Sequence, residues 1–177
     1  TDTGWQQRGK QVKKSVGFWY TGTSGIWQTV WLEPADRTKI TGYYAVADID
    51  AANMSVEVAT EALAAGDKVK VDLIEGAVGY SAEKPGTKVL ASVFAENGKA
   101  VIGVRDMQTW SPDKPYLYGL RISILRKGKV IDTVNGYTAM RKISRIDVKT
   151  GDGSTYHRMA LNNKALFQFG PLDQGWW

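Results

Sequence analysis

A chain of 177 residues with 43% hydrophobic and 23% charged residues is long enough to bury one ordinary core with a few dozen residues to spare, and its composition excludes a disordered or fibrous protein. Zero Cys excludes disulfides and thiolate metal sites, and a single His, His157, leaves no basis for a histidine metal centre, so no cofactor and no metal are expected. No apolar run approaches the length of a bilayer span, and the net charge of +5 comes without a nucleic-acid-binding motif, so neither membrane nor nucleic acid is expected as a partner.

The basic residues Arg8, Lys10, Lys13 and Lys14 crowd near the start and read as a solvated strand face. The first residues are polar and lack an apolar signal core, which leaves the compartment of the protein open, periplasm and secretion included. Up to Lys39 the chain is dense in Gly and Trp. Gly22-Thr23-Ser24-Gly25 lacks the Lys of a phosphate-binding loop and reads as a turn.

From Lys39 to about Ile143 short apolar alternations are separated by turn signals, the pattern of an all-β region. Met54, Val56 and Val58 alternate with Ser55 and Glu57, and Val69, Val71 and Leu73 alternate with Lys70 and Asp72, so each run offers one apolar face. Asn97-Gly98 tolerates positive φ at both positions and predicts a hairpin of adjacent strands over 88–96 and 99–105. Tyr118, Leu120, Ile122 and Ile124 share the next face, and Lys127-Gly128-Lys129 turns it into 130–143 as a second hairpin. Together 41–48, 53–59, 68–75, 88–96, 99–105, 116–125 and 130–143 make about seven strands, the number in a constant-type immunoglobulin sandwich; a barrel is the main competitor.

After Arg145 a polar loop, Thr150-Gly151-Asp152-Gly153-Ser154, precedes one strand-like run over 156–169, and the chain stops at Trp176-Trp177. Adjacent Trp at a terminus predict a piece cut from a larger fold. Cut ends over 17–32 and 156–169 would present unpaired strand edges, so a homodimer through those edges is expected.

Three segments, in this order, resemble glycoside hydrolase family 2, the family of β-galactosidases, β-glucuronidases and β-mannosidases. Thr23-Ser24-Gly25-Ile26-Trp27-Gln28-Thr29-Val30-Trp31-Leu32 is similar to the closing strand of the family's sugar-binding jelly-roll domain. Trp110-Ser111-Pro112-Asp113-Lys114-Pro115-Tyr116-Leu117-Tyr118 resembles the segment leading into the penultimate strand of its immunoglobulin-like domain. Leu161-Asn162-Asn163-Lys164-Ala165-Leu166-Phe167-Gln168-Phe169-Gly170 resembles its Leu-Asn-Gly-Lys-Pro hairpin, with Asn163 and Ala165 for the usual Gly and Pro. Asn also adopts positive φ, so the turn survives the exchange. Ala139-Met140-Arg141 stands where many members carry Gly-Phe-Arg. Independently of the family, Pro112 and Pro115 suit a loop at a sheet edge, and Trp110 and Tyr116 suit the closing of a sandwich end.

The resemblance implies a parent with two catalytic Glu on strands of a (β/α)₈ barrel, acting as nucleophile and acid/base in a retaining hydrolysis. The family's acid/base follows an Asn, and none of the six Glu here, Glu33, Glu57, Glu61, Glu75, Glu83 and Glu96, does. No catalytic residue is carried over, and this chain by itself is expected to be inactive. Asp48, Asp50, Asp72 and Asp132 fall in or beside strands, where exposed faces and turns are their natural places. The resemblance puts Asp173, Trp176 and Trp177 just after the first barrel strand; in the complete enzyme Asp173 would line the sugar pocket, and the two Trp would either stack on the sugar or pack the mouth of the barrel.

The expected organisation is therefore an immunoglobulin-like β-sandwich over 37–144, preceded by a jelly-roll remnant over 1–36 and followed by a linker and first barrel strand over 145–177. Its expected role is a non-catalytic spacer between the sugar-binding and barrel domains of a β-galactosidase-like hydrolase, whose substrate is a carbohydrate. The alternative is an independent carbohydrate-binding module using exposed Trp among the seven present.

Overall fold

The computed structural model describes residues 9–22, 24–26, 28–76 and 88–172. Residues 34–167 form one compact unit, and 1–33 with 168–177 form a second. In the second unit Gln11–Val12 (β1) and Tyr20–Thr21 (β2) pair in parallel. The described residues of 23–32 form no strand there; Val30 and Leu32 stand exposed.

The larger unit is an all-β sandwich followed by a small third sheet. Its strands are Lys39–Asp48 (β3), Asn53–Glu61 (β4), Lys68–Ile74 (β5), Val89–Phe94 (β6), Lys99–Gly103 (β7), Tyr118–Arg126 (β8) and Lys129–Thr138 (β9). One sheet runs β3-β4-β7 and the other β6-β5-β8-β9, all antiparallel. The alternating apolar residues meet between them: Met54 and Val56 from β4 and Ile102 from β7 face Val71, Leu73, Leu120, Ile122 and Ile124 from β5 and β8, all buried. Burying such side chains contributes about 1.5–3 kcal/mol each, and this layer is what holds the two sheets together.

The seven expected strands all form, with one pairing corrected. Asn97 and Gly98 do make the tight turn, at φ 50° and 77°, and Glu96 and Lys99 exchange backbone hydrogen bonds of 2.8 and 2.9 Å. Beyond that bridge the strands part. β6 pairs with β5 while β7 pairs with β4, so the turn carries the chain from one sheet to the other rather than closing a hairpin. In a constant-type sandwich the fourth strand joins the first sheet; here it extends the second. The Lys127-Gly128 hairpin forms as expected, with φ of 50° and 78° at the turn and β8 and β9 paired along their length.

The strand expected over 130–143 forms but stops short. β9 ends at Thr138, because Met140, fully buried, crosses to the opposite loop, where Thr109 and Met140 form a parallel bridge and the Trp110 N–H donates to the Met140 carbonyl at 2.9 Å. The chain then re-enters extended structure as Ile143–Lys149 (β10), which pairs with Thr155–Leu161 (β11), and β11 with the short Lys164–Ala165 (β12). Residue 144, the expected sandwich boundary, falls inside β10. The polar 150–154 loop is the turn of this hairpin: the Thr150 N–H donates to the Ser154 carbonyl at 2.9 Å.

The sandwich is closed along one side by side chains. The Ile40 N–H donates to Asp132 Oδ2 at 2.7 Å, tying β3 to β9. Farther along, Tyr43 lies so close to Gly136 that a Cβ there would stand 1.9 Å from its hydroxyl oxygen.

Candidate functional site

Asp173, Trp176 and Trp177 lie outside the described residues. Of the glutamates, Glu57 pairs with Lys99 at 2.7 Å, Glu61 with Lys39 at 3.1 Å and Glu75 with Lys88 at 3.0 Å, all across neighbouring strands or their ends. These pairs stand on the surface, where water and salt leave an ion pair little to contribute. Asp72 departs from its expected exposed place: it points out from β5 yet is only 2% exposed. Ser92 Oγ donates to it at 2.5 Å, Lys70 Nζ stands at 2.8 Å and Arg121 Nε at 3.3 Å. Burial pushes its carboxyl up, but these three donors outweigh it and hold it below the ordinary carboxylate range.

The chemistry of the unit concentrates instead at one end of the sandwich, where the loop between β7 and β8 meets the turns of β3–β4 and β11–β12. Tyr118 opens β8 and is buried, and its hydroxyl accepts the Gln108 N–H at 2.7 Å. This is the tyrosine-corner geometry that pins the loop before the penultimate strand of a sandwich. Tyr116 packs edge-on against Tyr118 with centroids 4.9 Å apart. Ser111 and Lys114 close the Pro112–Asp113 turn with backbone bonds of 3.0 and 3.1 Å. The loop therefore holds Trp110 in one place, and the Arg141 guanidinium lies 5.1 Å from its ring centroid, a cation–π contact.

Against this loop sits Asn162, in the turn between β11 and β12. Asn162 and Asn163 have φ of 50° and 65°, the left-handed region that Asn tolerates better than other side chains. Every polar group of the Asn162 side chain is engaged: Nδ2 donates to the Trp110 carbonyl at 2.9 Å and Oδ1 accepts the Lys142 N–H at 3.0 Å. Its own N–H donates to the Lys142 carbonyl at 2.8 Å. A second tether is ionic. Asp50, in the β3–β4 turn, accepts from Asn163 Nδ2 at 2.6 Å and pairs with Lys142 Nζ. The turn holds Asp50 because Asp48 Oδ1 accepts both the Asp50 and Ala51 N–H groups at 3.0 Å. The Lys142 hydrogen bond, then the Asn163 one, hold the Asp50 carboxyl below its ordinary range.

Beside Trp110 a groove of about 520 Å³ opens between the outer half of β3 and the residues after β9. Tyr44, Val46, Pro115, Leu117, Tyr137 and Arg141 line it. The sequence marks Trp110, Arg141 and Asn162 as members of distinctive segments. What it does not disclose is that residues 52 and 113 positions apart meet at one joint, nor that Asp50 belongs to it.

The arrangement ties the hairpin after the sandwich to the loops at its end. The solved structures most similar in fold include β-glucuronidase from Ruminococcus gnavus in complex with D-glucaro 1,5-lactone, at TM-score 0.56 and 16% identity over 75% of this chain and 19% of that one. The same enzyme without ligand superposes at TM-score 0.55, with 18% identity over 75% of this chain and 19% of that chain. At such low identity the likeness shows the fold alone, and this chain spans about a fifth of the neighbours' length. No curated protein matches the chain. The family model for glycosyl hydrolases family 2 matches residues 38–141, more than half of the chain and all of the sandwich strands, and the chain therefore belongs to glycosyl hydrolase family 2.

Proposed function

We propose that the sandwich is a non-catalytic spacer within a glycoside hydrolase, and that its work is to fix the direction in which the polypeptide leaves it. The observation that carries this reading is the joint at Trp110, Lys142, Asn162 and Asp50, in which loops far apart in sequence grip the hairpin that follows the sandwich. The complete protein would hydrolyse a terminal β-glycoside by double displacement, with its two carboxylic residues supplied by another domain. Galactosides are the substrate class suggested by the sequence resemblance, and glucuronides the class in the neighbours' names. The partners of the spacer are then the sugar-binding and barrel domains of its own protein.

Aryl β-galactoside, β-glucuronide and β-mannoside substrates test this in two arms. The complete protein is expected to release the aryl group from at least one of them; failure on every terminal β-glycoside would overturn the hydrolase reading. The 177-residue chain is expected to release none above the buffer rate, and saturable turnover by it would overturn the spacer reading.

A further inference from the structure

We propose that Asn162 is the positioning residue of the joint: it latches the β10–β12 hairpin to the sandwich, and without it the hairpin comes away while the sandwich stays folded. The functional meaning of this latch rests on the spacer reading above.

β10, β11 and β12 form a sheet of their own, and among the described residues no strand of it is hydrogen-bonded to a strand of the sandwich. One of its faces is solvated, with Ile143 65% and Met159 49% exposed; the other, carrying Ile146, Val148 and Ala160, is half-buried, and Ala160 alone is fully buried. A sheet of two full strands and a two-residue third, with one face in water, is marginal on its own. Its half-buried face leaves its order leaning on tethers, and among the described residues these include side-chain bonds at one end: Asn162 to the Trp110 carbonyl, and Lys142 and Asn163 to Asp50.

The tethers are unequal. Asp50 and Lys142 are half-exposed ion partners, with side chains 52% and 37% accessible. Water competes for such a pair and salt screens it. Asn162 is different, because its amide reaches a backbone carbonyl of a loop that Tyr118 already pins, and its oxygen and N–H both hold Lys142 at the root of the hairpin. One side chain thus joins the base of β10, the β11–β12 turn and the Trp110 loop. The left-handed φ at this position also selects Asn over other side chains capable of the same bonds.

Hydrogen exchange on the 177-residue chain tests the latch. Asn162→Gly removes the amide while suiting the positive φ, so the turn itself is not strained. The expected result is at least a tenfold faster exchange for amides of Ile143–Lys149 and Thr155–Leu161, with amides of Tyr118–Arg126 unchanged. Asn162→Asp keeps the acceptor for the Lys142 N–H and loses the donor to Trp110, and is expected to fall between. Hairpin protection that survives Asn162→Gly would overturn the proposal, and so would loss of protection in Tyr118–Arg126 in the same variant, since that would make Asn162 a general stability residue. Neither result depends on whether the complete protein turns over a glycoside.

Discussion

Gly136 has no Cβ because Tyr43 occupies the space where one would be, 1.9 Å from the tyrosine oxygen. Burial pushes the Tyr43 hydroxyl pKa up, while a backbone hydrogen bond from Tyr137 works against it. Gly136→Ala must displace a rigid ring from the seam between β3 and β9, and overpacking of this kind costs about 1–3 kcal/mol. A lowered midpoint of denaturant unfolding with an unchanged slope is the expected readout. A second residue-scale prediction concerns acid. Asp67, whose side chain is 1% exposed, receives two bonds from Arg126, at 2.8 and 2.7 Å, while Arg126 also donates to Thr38 at 3.1 Å. The Arg126 hydrogen bonds, then the Ala64 N–H, depress the Asp67 carboxyl to about 2. A depressed carboxylate contributes stability that is full above the unfolded value of about 4 and is lost as pH falls through the folded one. Stability should therefore drop between about pH 5 and pH 2, and Asp67→Asn should flatten that limb while lowering stability at neutral pH. Unfolding midpoints for both proteins across that range check it; Asp152, also held at about 2, leaves a smaller slope in the variant.

At the scale of elements, two glycine turns that look alike in sequence do different things. Gly128 closes a true hairpin at φ +78° with nothing near the place of a Cβ, whereas Gly98, at φ +77°, would put one 3.1 Å from the Val58 carbonyl oxygen. Forcing an L-residue into the left-handed region costs about 1–2 kcal/mol, so Gly128→Ala is expected to cost about that much and Gly98→Ala more, as read from thermal melts of the two variants. Strand existence was legible from alternation alone: the residues that alternate over β4, β5 and β8 are the ones that fill the core. Partners were not, because alternation shows which face of a strand is apolar and says nothing of which neighbour supplies its backbone bonds. That is why 88–96 and 99–105 read as a pair although they belong to different sheets. The third sheet was hidden for a related reason. The run over 156–169 reads as a strand, but Arg145, Asp147 and Lys149 hide β10 among polar residues, and its pairing with β11 is visible only in the structure. Of the joint, the positive φ of Asn163 was readable from the residue type, and the contact of Asn162 with Trp110, 52 positions away, was not.

For the whole molecule the central claim is that this sandwich serves geometry and has no sugar site of its own. Seven Trp make that claim directly measurable, since a pyranose stacking on an indole changes its emission. The decisive experiment is a titration of the 177-residue chain with galactose, glucuronic acid, mannose and their β-linked oligosaccharides, followed by Trp fluorescence. The account predicts a flat response to every sugar. Saturable binding, abolished by replacing the groove residue Trp110, would contradict it and mark the sandwich as a carbohydrate-binding module.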